Sequence, residues 1–322
     1  MTSPRRQLVD PTQSGFFHCV SRCVRRAFLC GEDHYTGRSF DHRRQWIEDR
    51  LLQLADIFAV SLHAYAVMSN HVHVVLHVGP DVATAWSDGE IAERWVRLCP
   101  VRENGEISEE ACRLRREAIA GDPARVARYR ERLGSLSWFM RCLNEPIARR
   151  ANREDGCTGR FWEGRFKCQA LLDRSALLAC MAYVDLNPVR AGMAGRLEDC
   201  RHTSLRRRIE TAEPLDAEVA PLAGAAASPG TGLSAGEYIA LVAWSGGIAK
   251  PGKRGKLAGP PPAALRGLAA SELQWKSQVL GIESRYWRAV GAVDALLEKA
   301  AAMGQCWLKG QGVGRRSQRT AG

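Results

Sequence analysis

The sequence predicts an α+β fold built on antiparallel strands, and two observations carry this. First, Val60–Val67 (VSLHAYAV) and His71–Val78 (HVHVVLHV) read as strands joined by only Met68, Ser69 and Asn70. A turn that short pairs its strands antiparallel, because a parallel crossover needs a dozen or more residues. Second, stretches of helical period surround them. Ile47, Leu51, Leu54 and Phe58 fall on one face of a helix over 41–58.

The remaining elements follow in order. Residues 16–24 (FFHCVSRCV) are rich in β-formers and read as a strand ahead of that helix. The interval 90–133 is dense in Arg and Glu and reads as helices with loops, and 136–150 as a further helix. Residues 173–186 read as a helix with Asp173 as its N-cap, ended by Asn187-Pro188, because proline disfavours helical geometry in the residue before it. The chain then turns rich in Ala, Gly, Pro and Ser over 211–235, which reads as a linker. A short helix over 237–245, a basic Gly/Pro-rich stretch over 250–262 and an amphipathic, Trp-bearing stretch over 272–308 follow. The expected organisation is a domain over 1–210 with a charged helical insertion near 90–133, a linker over 211–235, and a basic, mainly helical region over 236–322.

Composition narrows the class. Of 322 residues, 45% are hydrophobic and 25% charged, as in a globular protein with a real core. No apolar run is long enough to span a bilayer. Arg5 and Arg6 have no apolar stretch behind them, so no secretory signal is expected and the cytoplasm is the expected compartment. The eleven cysteines include no C-x-x-C pair; Cys19, Cys23, Cys30 and His34 could be drawn as a zinc set, but scattered buried thiols are the better reading. The net charge of +11 is unevenly placed. Residues 246–322 hold 13 Lys and Arg against 4 Asp and Glu, a surplus of nine. Such a segment suits a polyanion, nucleic acid being the common one.

The chemistry centres on His71-Val72-His73. Alternate strand residues share a face, so both imidazoles point one way, roughly 7 Å apart at Cα, and can lean on one ion. Val72, Val74, Leu76 and Val78 fill the opposite face and seat the strand in a core. His77 lies roughly 13 Å beyond His73 and is left out. A nucleophile is available in Tyr183. Leu177, Met181 and Val184 form the stripe its helix buries, and Tyr183 is expected to point away from it toward substrate. Asn187, one turn on, could offer its carbonyl oxygen to the ion. Arg160, Phe161, Trp162, Arg165 and Lys167 interleave aromatic and basic residues. They suit stacked bases and held phosphates, and equally a structural hairpin that completes the core. Arg190 could reach a phosphate near the cut.

Taken together, Met68-Ser-Asn-His-Val-His-Val-Val-Leu76, Gly159-Arg-Phe-Trp-Glu-Gly-Arg-Phe166 and Ala182-Tyr-Val-Asp-Leu-Asn-Pro-Val-Arg-Ala-Gly192 resemble the single-tyrosine HUH transposases, and among them the REP-associated branch. The resemblance covers roughly the first two hundred residues. It implies an antiparallel sheet with helices on one face, ferredoxin-like or RRM-like. It also implies one Mg²⁺ or Mn²⁺ held by His71 and His73, with Asn187 as third ligand. Tyr183 would then attack a phosphodiester of single-stranded or hairpin-forming repeat DNA, giving a 5′-phosphotyrosine and a free 3′-hydroxyl. A homodimer and a monomer both stay open, and no membrane partner is implied. A non-catalytic nucleic-acid-binding descendant on the same scaffold is the alternative.

Overall fold

The computed structural model describes residues 7–24, 29–32, 37–211, 214–224, 228–247, 260–268, 272–283 and 288–311. Arg5, Arg6, His34 and most of the basic stretch over 250–262 lie outside them.

The chain runs through β1 (Gly15–Arg22), α1 (His42–Ile57), β2 (Val60–Val67) and β3 (His71–Val78). β3 pairs antiparallel with β2 on one side and β1 on the other. In this register Val20 lies opposite His73 and Arg22 opposite His71. Directly opposed residues share a face, so the histidine face of β3 continues across β1 as His18, Val20 and Arg22.

The charged interval folds as α2 (Pro80–Ala85), α3 (Asp88–Leu98), a small hairpin of β4 (Arg102–Glu103) and β5 (Glu106–Ile107), α4 (Glu109–Ala120) and α5 (Pro123–Leu133). Its helices begin where local chemistry dictates. The Ser87 hydroxyl accepts the Glu90 N–H at 3.2 Å, and the Glu90 carboxylate accepts the Ser87 N–H at 2.8 Å, a reciprocal cap. Asp122 caps α5, with Pro123 in the first turn where no N–H is needed. Trp95 of α3 stacks on Tyr129 of α5 at 3.9 Å, locking the two together.

Next come α6 (Leu136–Glu154), β6 (Lys167–Leu171), α7 (Arg174–Asp185) and α8 (Asn187–Arg190). Asp173 caps α7 as expected, accepting from the Ala176 N–H at 2.8 Å. Pro188 differs from expectation. It occupies the first turn of α8, which begins immediately after α7, so it starts a helix as much as it ends one. The described remainder holds α9 (Ser204–Glu210), β7 (Ala223–Gly224), α10 (Ala235–Gly246), α11 (Ala263–Gly267), α12 (Glu272–Gly281), β8 (Ala289–Val290) and α13 (Val293–Ala302).

Three features correct the expected architecture. The interval read as a linker contributes β7, which pairs with β2, and the C-terminal region contributes β8, which pairs parallel with β6. The sheet is therefore mixed and six-stranded, in the order β7-β2-β3-β1-β6-β8. Two-residue strands carry no alternation, which is why sequence periodicity misses them. Gly224 shows how tight the edge is: its φ is +135°, and an added Cβ would collide with the Val60 carbonyl oxygen. Helices also lie against both faces, not one. On the face turned from the histidines, Tyr65 donates to Glu48 of α1 at 2.5 Å and Ser21 accepts from Asn144 of α6 at 2.9 Å. On the histidine face lies α7.

The C-terminal helices are part of this core. Trp275 of α12 is fully buried and donates to the Ser245 hydroxyl of α10 at 2.8 Å. Trp275→Ala is expected to destabilise the protein by about 3–5 kcal/mol, read as a lowered denaturant midpoint at unchanged slope. A loss under about 1 kcal/mol would mean that this region folds apart from the sheet.

Candidate active site

β3 holds His71 half-buried and His73 fully buried, with ring centroids 4.7 Å apart and planes at 74°. His71 Nδ1 lies 2.5 Å from the Asn70 side-chain oxygen, which can only accept, so Nδ1 carries the proton and Nε2 the lone pair. His73 Nδ1 lies 2.9 Å from His18 Nε2 on β1, and His73 Nε2 is buried with no hydrogen-bond partner among the described residues. Burial, with Arg22 as a lesser cause, pushes His71 down to about 4. Burial, with His18 and His71 nearby, holds His73 well below its ordinary value. Both rings are thus neutral near pH 7, the state that can give a lone pair to a metal. A buried ring nitrogen without a partner is the kind of atom a ligand satisfies. The donor set therefore fits one divalent ion. Among the described residues, no group of three His, Cys, Asp or Glu converges to hold an ion, so a third ligand would have to be of another kind.

Tyr183 reaches this pair from α7. Its ring centroid lies 5.9 Å from that of His73 and 6.1 Å from that of His18. The phenol donates to the Glu283 carboxylate at 2.7 Å, and the Arg190 guanidinium stands 4.5 Å from the ring centroid. Burial raises the Tyr183 pKa above its ordinary value, helped by the Glu283 charge. The expectation that Tyr183 points away from a buried stripe is corrected. Every residue from Ala176 to Asp185 is buried, and Tyr183 itself is only 4% exposed. The sheet covers one side of α7, and α10 and α12 lie against it as well. Tyr183 nonetheless lies beside the histidine pair.

The other sequence candidates divide. Arg190 is at the site, with Nη1 buried and without a hydrogen-bond partner among the described residues. Asn187 is buried at the start of α8, and its Nδ2 likewise has no partner there; it makes no described contact with either imidazole. Phe161 is 2% exposed and packs edge-on against Trp162 at 5.0 Å, while the Trp162 indole N–H donates to the Asn144 carbonyl at 2.8 Å. Both rings are committed to packing, and Phe161 offers no face to a base. Arg160, Arg165 and Lys167 are exposed. Arg165 and Lys167 line a concavity with Val20, Arg22, Glu163 and Gly164. In the sheet Val20 is flanked by His73 and Lys167, and Arg22 by His71, so this basic concavity adjoins the histidines.

No family model matches the chain, and no curated protein matches it. One solved structure is similar, described as the structure of the REP-associated tyrosine transposase bound to a REP hairpin. It is 14% identical, and the match covers 71% of this chain and 100% of that one with a TM-score of 0.39. A similarity this distant does not assign the chain a function. No helix among the described residues is long and apolar enough to cross a membrane.

Sequence reasoning missed four residues here: His18, Arg22, Gln169 and Glu283. His18 and Arg22 become visible only once β1 is registered against β3. Glu283 lies a hundred residues from Tyr183, and no local pattern marks it.

The buried histidines carry a pH consequence. His63 on β2, 2.8 Å from the Ser228 hydroxyl, is pushed down to about 3, mainly by burial and then by Arg208. For His63 and His71 the folded pKa lies below the unfolded value near 6.5, so below that pH the unfolded chain binds more protons. Stability present above about pH 6.5 is therefore lost as pH falls toward 4 and 3, by up to about 1.4 kcal/mol per pH unit for each group. Thermal melts of metal-free protein between pH 7 and 5 should show a falling midpoint, with a shallower fall in His63→Gln. A flat midpoint would contradict neutral burial.

Proposed function

We propose that the chain is a metal-dependent tyrosine nuclease and strand transferase of transposase type, acting on single-stranded or hairpin-forming DNA. The observation that carries this is the meeting of His71, His73 and Tyr183 on one face of the sheet, with His73 Nε2 buried and unpartnered among the described residues. His71 and His73 would hold Mg²⁺ or Mn²⁺, and the amide oxygen of Asn187 remains the proposed third ligand. Imidazole donors suit Mn²⁺ better than Mg²⁺. When bound, such an ion polarises the scissile phosphate and offsets developing negative charge.

The protein groups do the rest. Arg22, Arg165 and Lys167 in the concavity beside the histidines receive the DNA backbone, and Arg160 adds to the same exposed strip. Arg190, with an unpartnered guanidinium nitrogen beside Tyr183, takes a phosphate oxygen next to the cut. Phe161 and Trp162 shape the hairpin that presents these cations. Tyr183 Oη attacks phosphorus and Glu283 takes its proton. The Oη–P bond forms, the bond from phosphorus to the 3′ oxygen breaks, and that oxygen is protonated from water. The product is a 5′-phosphotyrosine with a free 3′-hydroxyl. A second 3′-hydroxyl can reverse the step on a new strand without ATP, because the covalent link stores the bond. A soluble, cytoplasmic protein, as monomer or homodimer, fits this work.

One observation favours a second reading. Tyr183 is buried, and Glu283 holds its hydroxyl. A protein that only binds nucleic acid would have no need to expose it. A labelled DNA hairpin incubated with the protein and Mn²⁺ and run on a denaturing gel separates the two. A protein-linked band supports the nuclease, and tight binding with no such band supports the binding protein.

A further inference from the structure

His73 has two ring nitrogens, and only a bare Nε2 can receive an ion. What fixes its tautomer is a buried chain of polar groups that ends in the C-terminal region. The Ile282 carbonyl, just after α12, can only accept; the Gln169 amide nitrogen donates to it at 2.6 Å. This orientation turns Gln169 Oε1 toward His18 Nδ1, 2.9 Å away. An amide oxygen also only accepts, so His18 Nδ1 carries the proton. His18 is 1% exposed, and its ring nitrogens meet the Gln169 amide oxygen and His73, not a carboxylate that would offset a buried positive charge, so the ring is neutral and its Nε2 is a lone pair. His18 Nε2 faces His73 Nδ1 at 2.9 Å, and His73 Nδ1 must therefore be the donor. The lone pair of His73 is left on Nε2, the atom without a partner among the described residues.

We infer that His18 and Gln169 are positioning residues. Anchored on the Ile282 carbonyl, they hold His73 in the tautomer and ring orientation that direct its Nε2 lone pair into the site. The two imidazoles lie edge to edge in nearly parallel planes, 8° apart with centroids at 5.2 Å, so the hydrogen bond between them also sets the orientation of the His73 ring. Metal-binding histidines commonly have an outer partner on the second nitrogen, but that partner is usually a carboxylate, carbonyl or water. Here it is a second histidine, itself set by an amide. Gln169 lies opposite His18 in the β1–β6 register, so the chain is built into the sheet.

The inference rests on the metal reading of His71 and His73, and its test separates the two. Nitrogen–proton correlation spectra of metal-free, full-length protein labelled in histidine report the tautomer directly. His18 and His73 are both expected as Nδ1–H forms. An Nε2–H His73 in the wild-type protein overturns the inference, whatever the protein does to DNA. Mn²⁺ titration, followed by the paramagnetic resonance of free Mn²⁺, reads the metal. Gln169→Leu is expected to weaken Mn²⁺ binding 10- to 100-fold. Gln169→Glu, held protonated by burial, keeps an acceptor toward His18 and a donor toward the Ile282 carbonyl and should restore most of it. Equal weakening in both variants, with native melting retained, overturns the role of the acceptor. Nδ1–H tautomers together with no Mn²⁺ binding by wild-type protein would sink the metal reading and leave the tautomer chain standing.

Discussion

Tyr183→Phe should abolish the covalent protein–DNA product while leaving hairpin affinity within about threefold of wild type. The substitution removes one oxygen and keeps the ring that packs against His18 and His73. Among the described residues no second tyrosine occupies the site, so nothing there replaces the lost nucleophile. The effect is accordingly all or nothing, unlike the 10²–10⁴-fold that losing a general acid or base typically costs. Stability should change little. The variant loses the Glu283 hydrogen bond, worth about 1.5–3 kcal/mol when the acceptor is charged, but frees an exposed carboxylate to water. A protein-linked band that persists in Tyr183→Phe would move the nucleophile elsewhere. A fall in affinity matching the fall in cleavage would mean that Tyr183 binds DNA instead of cutting it.

The second large effect is expected at the histidines. His71→Ala and His73→Ala should each reduce cleavage by at least about 10³-fold, the scale of removing a preorganised electrostatic stabiliser from a transition state. Binding should stay close to wild type, because Arg22, Arg165 and Lys167 are untouched. The two variants should differ in stability. His71 is half-buried, and its removal costs the Asn70 contact and the edge contact with the His73 ring, leaving no fully buried polar group orphaned among the described residues. His73 is fully buried, and its removal leaves a cavity and an unsatisfied His18 nitrogen, costing about 1–3 kcal/mol for the orphaned group alone. Melting curves beside single-turnover cleavage would show this split. Normal cleavage by either variant would end the assignment of the pair to a metal.

What the sequence disclosed follows from the range of its signals. β2 and β3 appear with their expected bounds because alternation over eight residues is a local pattern. The histidine pair was legible for the same reason, and Tyr183 because a motif surrounds it. The burial of Tyr183 was not legible, because α10 and α12, which share in packing α7, come after a stretch that reads as a linker. Nor were Glu283 and Gln169. Each acts through contacts far along the chain, Glu283 with Tyr183 and Gln169 with His18 and Ile282, and a lone Glu or Gln in a short segment looks like any solvated residue. The mixed sheet escaped for a similar reason, since β8 is two residues long and is held by its parallel partner, not by its own composition.

The placement of Ile282 and Glu283 has a consequence for how the protein is born. Translation delivers His71 and His73 about two hundred residues, and Tyr183 about a hundred, before the turn that carries Glu283 and the carbonyl anchoring Gln169. A nascent chain that has reached Tyr183 has neither of those groups. A chain lacking that turn would place Tyr183 beside the histidines without its carboxylate partner and without the anchor of Gln169.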